Sequence, residues 1–303
     1  MRVLYVPAGC GRCMECRKQK ARQWQVRIAE EIRKNRDGLF VTYTFSDEEL
    51  QKLDSEIKGL TGYERDNEIS RIAVRRYTER WRKKYKKTIR HWFVTEIGTK
   101  ETERLHIHGI VWTKEKEDIV KIWKYGRVDI GRSVNAETVN YIVKYISKVD
   151  EKHREYISKV YASKGLGKEY MDRRDCERNK YKEKNTNETY TTRNGMKLAL
   201  PIYYRNKIYN EEEREKLWIN KLDEKIRWVN GIKVDISNGD EEYFKVLGEA
   251  RKKNKRLGYG KRKVDWDKKK YENDRRNIKK MERVQRLYKK EARAKNGLIA
   301  KGD

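Results

Sequence analysis

Leu105-His106-Ile107-His108-Gly109-Ile110-Val111-Trp112 is an apolar, β-branched run interrupted by two of the chain's four histidines. Successive side chains of a strand point to opposite faces, so a strand here projects His106 and His108 together and turns Ile107 toward the core. Two imidazoles on one face make a seat for a metal ion, although the same pattern also suits a solvated histidine pair. Upstream, His91-Trp92-Phe93-Val94-Thr95-Glu96-Ile97 reads as another strand, and the polar stretch 98–104 suits a hairpin connection. That hairpin sets Glu96 beside the histidines. Two neutral imidazoles and a carboxylate suit Mg²⁺ or Mn²⁺ with positions left open for phosphate oxygens; the same set also suits Fe(II) in an oxygenase.

Downstream, Asn135-Ala136-Glu137 has the cap residue and early acid of a helix start, and the pattern predicts a helix running on to Lys148. Tyr141 and Tyr145 are four residues apart and therefore share a face, with Lys144 between them in sequence. Amphipathic core tyrosines would show the same spacing. Elsewhere, Trp24, Ile28 and Ile32 predict a helix that Gly38 ends, and residues 39–45 predict a strand. Residues 47–87 read as a charged helical stretch with Ile69, Ile72, Ala73, Tyr77 and Trp81 on its apolar face. A short helix is expected near Ile119–Trp123 and a strand over Tyr125–Ile130.

His-hydrophobic-His at 106–108 followed by Tyr-x-x-Lys-Tyr at 141–145 resembles the HUH endonucleases that initiate rolling-circle replication. The resemblance is to the initiators of microviruses, single-stranded DNA phages of the gokushovirus kind. Phe40-Val41-Thr42-Tyr43-Thr44-Phe45 resembles their first strand motif, Cys10-Gly11-Arg12-Cys13-Met14-Glu15-Cys16-Arg17 their N-terminal cysteine cluster, and Leu200-Pro201-Ile202-Tyr203-Tyr204-Arg205 a segment after the catalytic core. The resemblance spans residues 3 to 210 and is specific in the order and spacing of its motifs. It implies an antiparallel sheet with the metal seat of His106, His108 and Glu96 on one face and a nucleophile helix beside it. It also implies that Tyr141 or Tyr145 keeps the 5′-phosphate of nicked DNA and frees a 3′-hydroxyl, with Lys144 neutralising phosphate charge. Single-stranded and origin DNA are the expected partners, together with host helicase and polymerase.

Composition agrees independently. In 303 residues, 77 Lys and Arg against 48 Asp and Glu give a net charge of +29, a field that attracts a phosphate polyanion. Twenty tyrosines and eight tryptophans offer faces on which unpaired bases stack. A non-catalytic basic nucleic-acid-binding module is the competing reading, though it has no need of a His-x-His strand. No apolar run approaches membrane-spanning length, and the apolar stretch before Cys10 is too short for a signal peptide, so the cytoplasm of a bacterial host is expected. Cys10, Cys13 and Cys16 are one ligand short of a tetrahedral zinc site; Cys176 or His153 is the candidate fourth, with buried reduced thiols or an iron–sulfur cluster as alternatives.

The fold class expected is α+β, an antiparallel central sheet with flanking helices and a basic helical C-terminal extension. The expected segments are a cysteine cluster and helix over 1–35, an endonuclease core over 36–165, an extension over 166–235 and a basic helical tail over 236–303. Within the extension, residues 180–194 are polar enough to be disordered or to fold on DNA, and Leu217, Trp218, Leu222 and Ile226 predict a helix over 211–229. Residues 251–303 hold 22 Lys or Arg against 7 Asp or Glu. Contact with the DNA backbone is expected of this tail, or else docking on the core through Met281, Val284 and Leu287.

Overall fold

The structure, a computed structural model, describes residues 11, 14–98, 103–148, 152–229, 232–256 and 266–299. The chain forms two compact units that interleave in sequence: residues 36–138, 148–164 and 263–303 in one, and residues 1–35, 139–147 and 165–262 in the other.

The first unit is built on a five-stranded antiparallel sheet of β1 (Gly38–Thr44), β2 (Arg90–Ile97), β3 (Leu105–Trp112), β4 (Val128–Ser133) and β5 (Val160–Ala162), in the order β4-β1-β3-β2-β5. The expected α+β class and antiparallel centre are what the chain adopts. Alternation along each strand divides the sheet. Val41, Tyr43, Phe93, Ile107 and Val111 enter a core completed by helices α2 (Asp47–Ser55), α3 (Gly62–Tyr85) and α4 (Lys116–Ile122). Its centre is aromatic: Tyr43 packs 4.5 Å from Trp123 and 5.4 Å from Phe93, centroid to centroid, and donates its hydroxyl to that of Tyr77 at 3.0 Å. Gly109 makes room for this. A Cβ there would stand 2.2 Å from Phe93 Cδ1 and 2.4 Å from the Trp92 carbonyl oxygen.

Three local expectations change. The helical stretch over 47–87 is two helices, because Gly59 takes φ +72° and lets the chain turn between them. β4 starts at Val128 rather than Tyr125, whose ring is instead buried in the core. The docking stripe expected of the tail is also different. Helix α10 (Trp266–Ile299) packs on α3 and α2, but through charge rather than through an apolar face. Arg276 is buried and donates to both carboxylate oxygens of Asp66 at 2.8 and 2.9 Å and to the Glu103 carbonyl at 2.9 Å. Lys280 pairs with Asp54, Arg286 with Asp47 and Lys290 with Glu48, while Ile278, Met281 and Tyr288 are exposed.

Removing one partner of a buried ion pair leaves an uncompensated charge. Arg276→Ala is therefore expected to lower unfolding free energy by about 3–5 kcal/mol. Lys290→Ala, at an exposed pair, should cost less than about 1 kcal/mol. Urea midpoints of the two variants check this; equal, small shifts would mean that docking of α10 contributes nothing to stability.

The second unit contains α1 (Met14–Lys34), residues 139–147 of helix α5 (Ala136–Ser147), α6 (Arg174–Glu177), the β6–β7 hairpin (Thr189–Thr191, Lys197–Ala199), α7 (Ile202–Ile208) and α8 (Glu211–Asp223). The β8–β9 hairpin (Ile226–Val229, Ile232–Asp235) and α9 (Glu241–Arg256) complete it. Its core gathers Val26, Tyr170, Cys176, Tyr190, Leu200, Tyr204 and Tyr209. The polar stretch 180–194 is ordered, because Tyr190 is buried and its hydroxyl donates to Glu30 at 2.5 Å. The helix expected over 211–229 ends at Asp223, and the chain turns through Lys225 at φ 50° into β8.

Candidate active site

β3 presents His106 and His108 on the sheet face opposite Ile107, with ring centroids 6.2 Å apart and planes 18° from parallel. The antiparallel register of β2 against β3 sets Glu96 directly across from His106, and on the other side β1 sets Thr42 across from His108. Both nitrogens of His108 are thereby held: Nε2 lies 2.7 Å from Glu96 Oε2 and Nδ1 lies 3.1 Å from Thr42 Oγ1. The ring of Phe40 stacks on the same imidazole at 6.3 Å. Lys148 donates to the other carboxylate oxygen of Glu96.

Burial alone would push the Glu96 carboxyl up, but hydrogen bonds from His108 and Lys148 outweigh it and hold the carboxyl below its ordinary range. It is ionised at neutral pH. Burial, aided by the neighbouring His108, holds the His106 imidazole below its ordinary range, while a hydrogen bond to the Arg104 backbone offsets part of that effect. His106 is therefore neutral at pH 7 and keeps a lone pair.

In donor type, two imidazoles and an ionised carboxylate on one face fit a hard divalent cation. As they stand, His108 and Glu96 bond each other, and among the described residues no three His, Cys, Asp or Glu side chains converge as a metal-ligand group. A cation held here would replace the His108–Glu96 bond and compete with Lys148 for the carboxylate. The remaining histidines are structural. His91 is buried against the Ile89 carbonyl and Ser163. His153, a candidate fourth zinc ligand, has Nδ1 3.0 Å from the Tyr63 hydroxyl and Nε2 3.1 Å from Glu103.

Helix α5 begins where its sequence predicts, with Asn135 and Thr138 forming a reciprocal capping box. Its buried side chains are Val139, Ile142, Val143 and Ile146. The tyrosines are not on that face. Tyr141 is 50% exposed, which removes the core-tyrosine alternative for it, and the Tyr145 hydroxyl donates to the Tyr141 hydroxyl at 2.9 Å. Their rings meet edge to face at 5.6 Å, and Lys144 Nζ lies 5.8 Å from the Tyr141 ring centroid. The structure thus brings together His106, His108 and Glu96 in one unit, and Tyr141, Lys144 and Tyr145 in the other.

Cys10 and Cys13 lie outside the described residues. Cys16 is half-buried in α1, and Cys176 is buried, with its thiol pushed up by burial. Thr42 and Lys148 were not singled out by the sequence reading. Thr42 sits inside the first strand motif, facing away from the core; Lys148 follows the tyrosine helix, and its pairing with Glu96 has no local signature.

The family model for replication-associated proteins of the ORF2 type matches residues 38–150, a span that contains every residue of both constellations. The chain is also 24% identical over 243 residues to Replication-associated protein VP4 of Bdellovibrio phage phiMH2K, covering 72% of this chain and 71% of that protein. No solved structure matches it. Residues 38–150 thus constitute a replication-associated protein domain of the ORF2 type, and the motifs' resemblance to phage replication initiators holds.

Proposed function

We propose that the protein initiates rolling-circle replication by nicking single-stranded DNA at an origin and later rejoining the strands. The observation that carries this reading is the bonded pair of tyrosine hydroxyls on α5, the Tyr141 side exposed, in a replication-associated domain that also holds a His-x-His strand. One tyrosine oxygen attacks the scissile phosphorus, and its proton passes to solvent. The phosphorus–O3′ bond breaks, and the departing oxygen keeps the electron pair and takes up a proton as the free 3′-hydroxyl. One phosphodiester is exchanged for another, so no hydrolysis is needed, and the 5′-phosphotyrosine stores the bond for rejoining.

Between the two hydroxyls a proton can be shared, and Lys144 adds positive charge beside Tyr141 where the phosphate must approach. Having two tyrosines lets one hold the old end while the other cuts a regenerated origin. His106, His108 and Glu96 would hold Mg²⁺ or Mn²⁺, which when bound supplies Lewis acidity to the phosphate oxygens. Lys148, bonded to Glu96, would move from the carboxylate toward the incoming phosphate charge. A structural Zn²⁺ at Cys10, Cys13 and Cys16 plays no part in these steps. The reaction would run in the cytoplasm of the bacterial host, with host helicase and polymerase using the 3′-hydroxyl; among the described residues no helix is long and apolar enough to cross a membrane.

Incubating the protein with single-stranded DNA from its own replicon and Mn²⁺ should give an SDS-resistant protein–DNA adduct and a released strand that a polymerase extends. Tight binding with no adduct would establish the competing reading, a non-catalytic basic nucleic-acid-binding module.

A further inference from the structure

Exposed large apolar side chains concentrate in one stretch of the second unit. Among the described residues, Trp218, Ile219, Trp228, Ile232 and Phe244 are all exposed within residues 218–244, beyond the span that matches the replication family model. The β8–β9 hairpin there has two distinct faces. Val229 and Val234 point inward and form a small core with Tyr243 of α9. On the outward face, Trp228 stands directly across from Lys233, and Ile226 across from Asp235. Trp228 is 66% exposed, so the hairpin's core is complete without it. Arg227 fixes β8 to the end of α8 by donating to the Ile226 carbonyl at 3.0 Å and toward the Lys221 and Leu222 carbonyls at 3.4 and 3.5 Å.

We propose that this outward face is a stacking platform for single-stranded DNA, with Trp228 receiving an unpaired base and Lys233 its flanking phosphate. A protein partner would require a continuous apolar patch. Here the indole is bordered by an ammonium group and, at the far end, by a carboxylate, which suits a ligand that alternates an aromatic ring with a negative charge. Cross-strand neighbours have Cβ atoms about 5 Å apart, which places cation and ring within reach of one nucleotide. Asp235 is held by the Ser237 amide at 2.8 Å and hydroxyl at 2.5 Å. It repels phosphate and so directs the strand toward the Lys233 end. The chain's net charge of +29 supplies the attraction for a polyanion. The choice of a single strand rests on the nicking reading above; the site itself does not.

The test measures binding of an oligodeoxythymidine and of a duplex of equal length, without divalent cation, so that affinity is read whether or not the chain nicks. Trp228→Ala should lose roughly 5- to 140-fold in affinity for the oligodeoxythymidine while duplex binding changes little. Trp228→Phe should retain most of the affinity, and its fluorescence should be quenched less by the oligonucleotide than that of the wild type. Lys233→Gln should make the log–log salt slope shallower by about 0.7. Melting curves and far-UV circular dichroism confirm that each variant is folded. Wild-type affinity in Trp228→Ala, or equal quenching in Trp228→Phe, overturns the platform. So does a change in self-association with unchanged DNA binding, which would make this face a protein contact. Failure to form the covalent adduct while Trp228-dependent binding persists would overturn only the nicking reading.

Discussion

The double variant Tyr141→Phe/Tyr145→Phe is expected to form no covalent adduct with origin DNA, while folding and binding DNA as the wild type does. Each substitution removes one hydroxyl. The 2.9 Å bond between the two is solvent-accessible, so its loss costs no more than about 1 kcal/mol of stability. Chemistry, by contrast, loses its only proposed nucleophiles. The single variants should differ from each other. Whichever tyrosine cuts first governs initial nicking, and the other governs the joining step that follows. Denaturing gels of the adduct, followed by peptide mapping, provide the measurement. An adduct on a tyrosine outside residues 141–145 would refute the assignment outright.

His106→Ala and His108→Ala should each reduce metal-dependent nicking by on the order of 10³-fold, because Lewis-acid stabilisation of a phosphoryl centre is worth several kcal/mol. Glu96→Ala should be similarly damaging. Affinity for DNA should persist in all three, since it arises from many Lys and Arg contacts rather than from one cation. His108→Ala should also cost some stability, since it strands the Thr42 hydroxyl and the Glu96 carboxylate that hold its ring. His106→Ala separates the two effects, because its ring does not bridge these groups. Nicking rates measured beside binding isotherms decide the matter: a double histidine variant that nicks normally in Mn²⁺ would eliminate this seat.

Local pattern carried the central elements. Alternation of apolar and polar residues predicted β2 and β3, the cap at Asn135 predicted the start of α5, and the four-residue spacing placed Tyr141 and Tyr145 on one face. Such signals are legible because strand and helix periods are properties of a few consecutive residues. The break at Gly59, the strand after Asp223 and the order in residues 180–194 were misread. In each, a single positive φ or a single buried tyrosine outweighs the average polarity of its neighbourhood.

By itself, the sequence determined the α+β class, the shared face of His106 and His108, the tyrosine pair and the basic charge that draws in a polyanion. Only the tertiary structure decided which residues surround that pair of histidines. Register across three strands sets Glu96 and Thr42 on His108, and Lys148 reaches Glu96 from 52 residues away in sequence. Tertiary structure alone also decided that α10 docks by its charged side and leaves Ile278, Met281 and Tyr288 outward. Hydrophobic periodicity assumes that water is the alternative to burial. Where acidic side chains of α2 and α3 offer a basic helix partners as good as water, the charged face becomes the buried one.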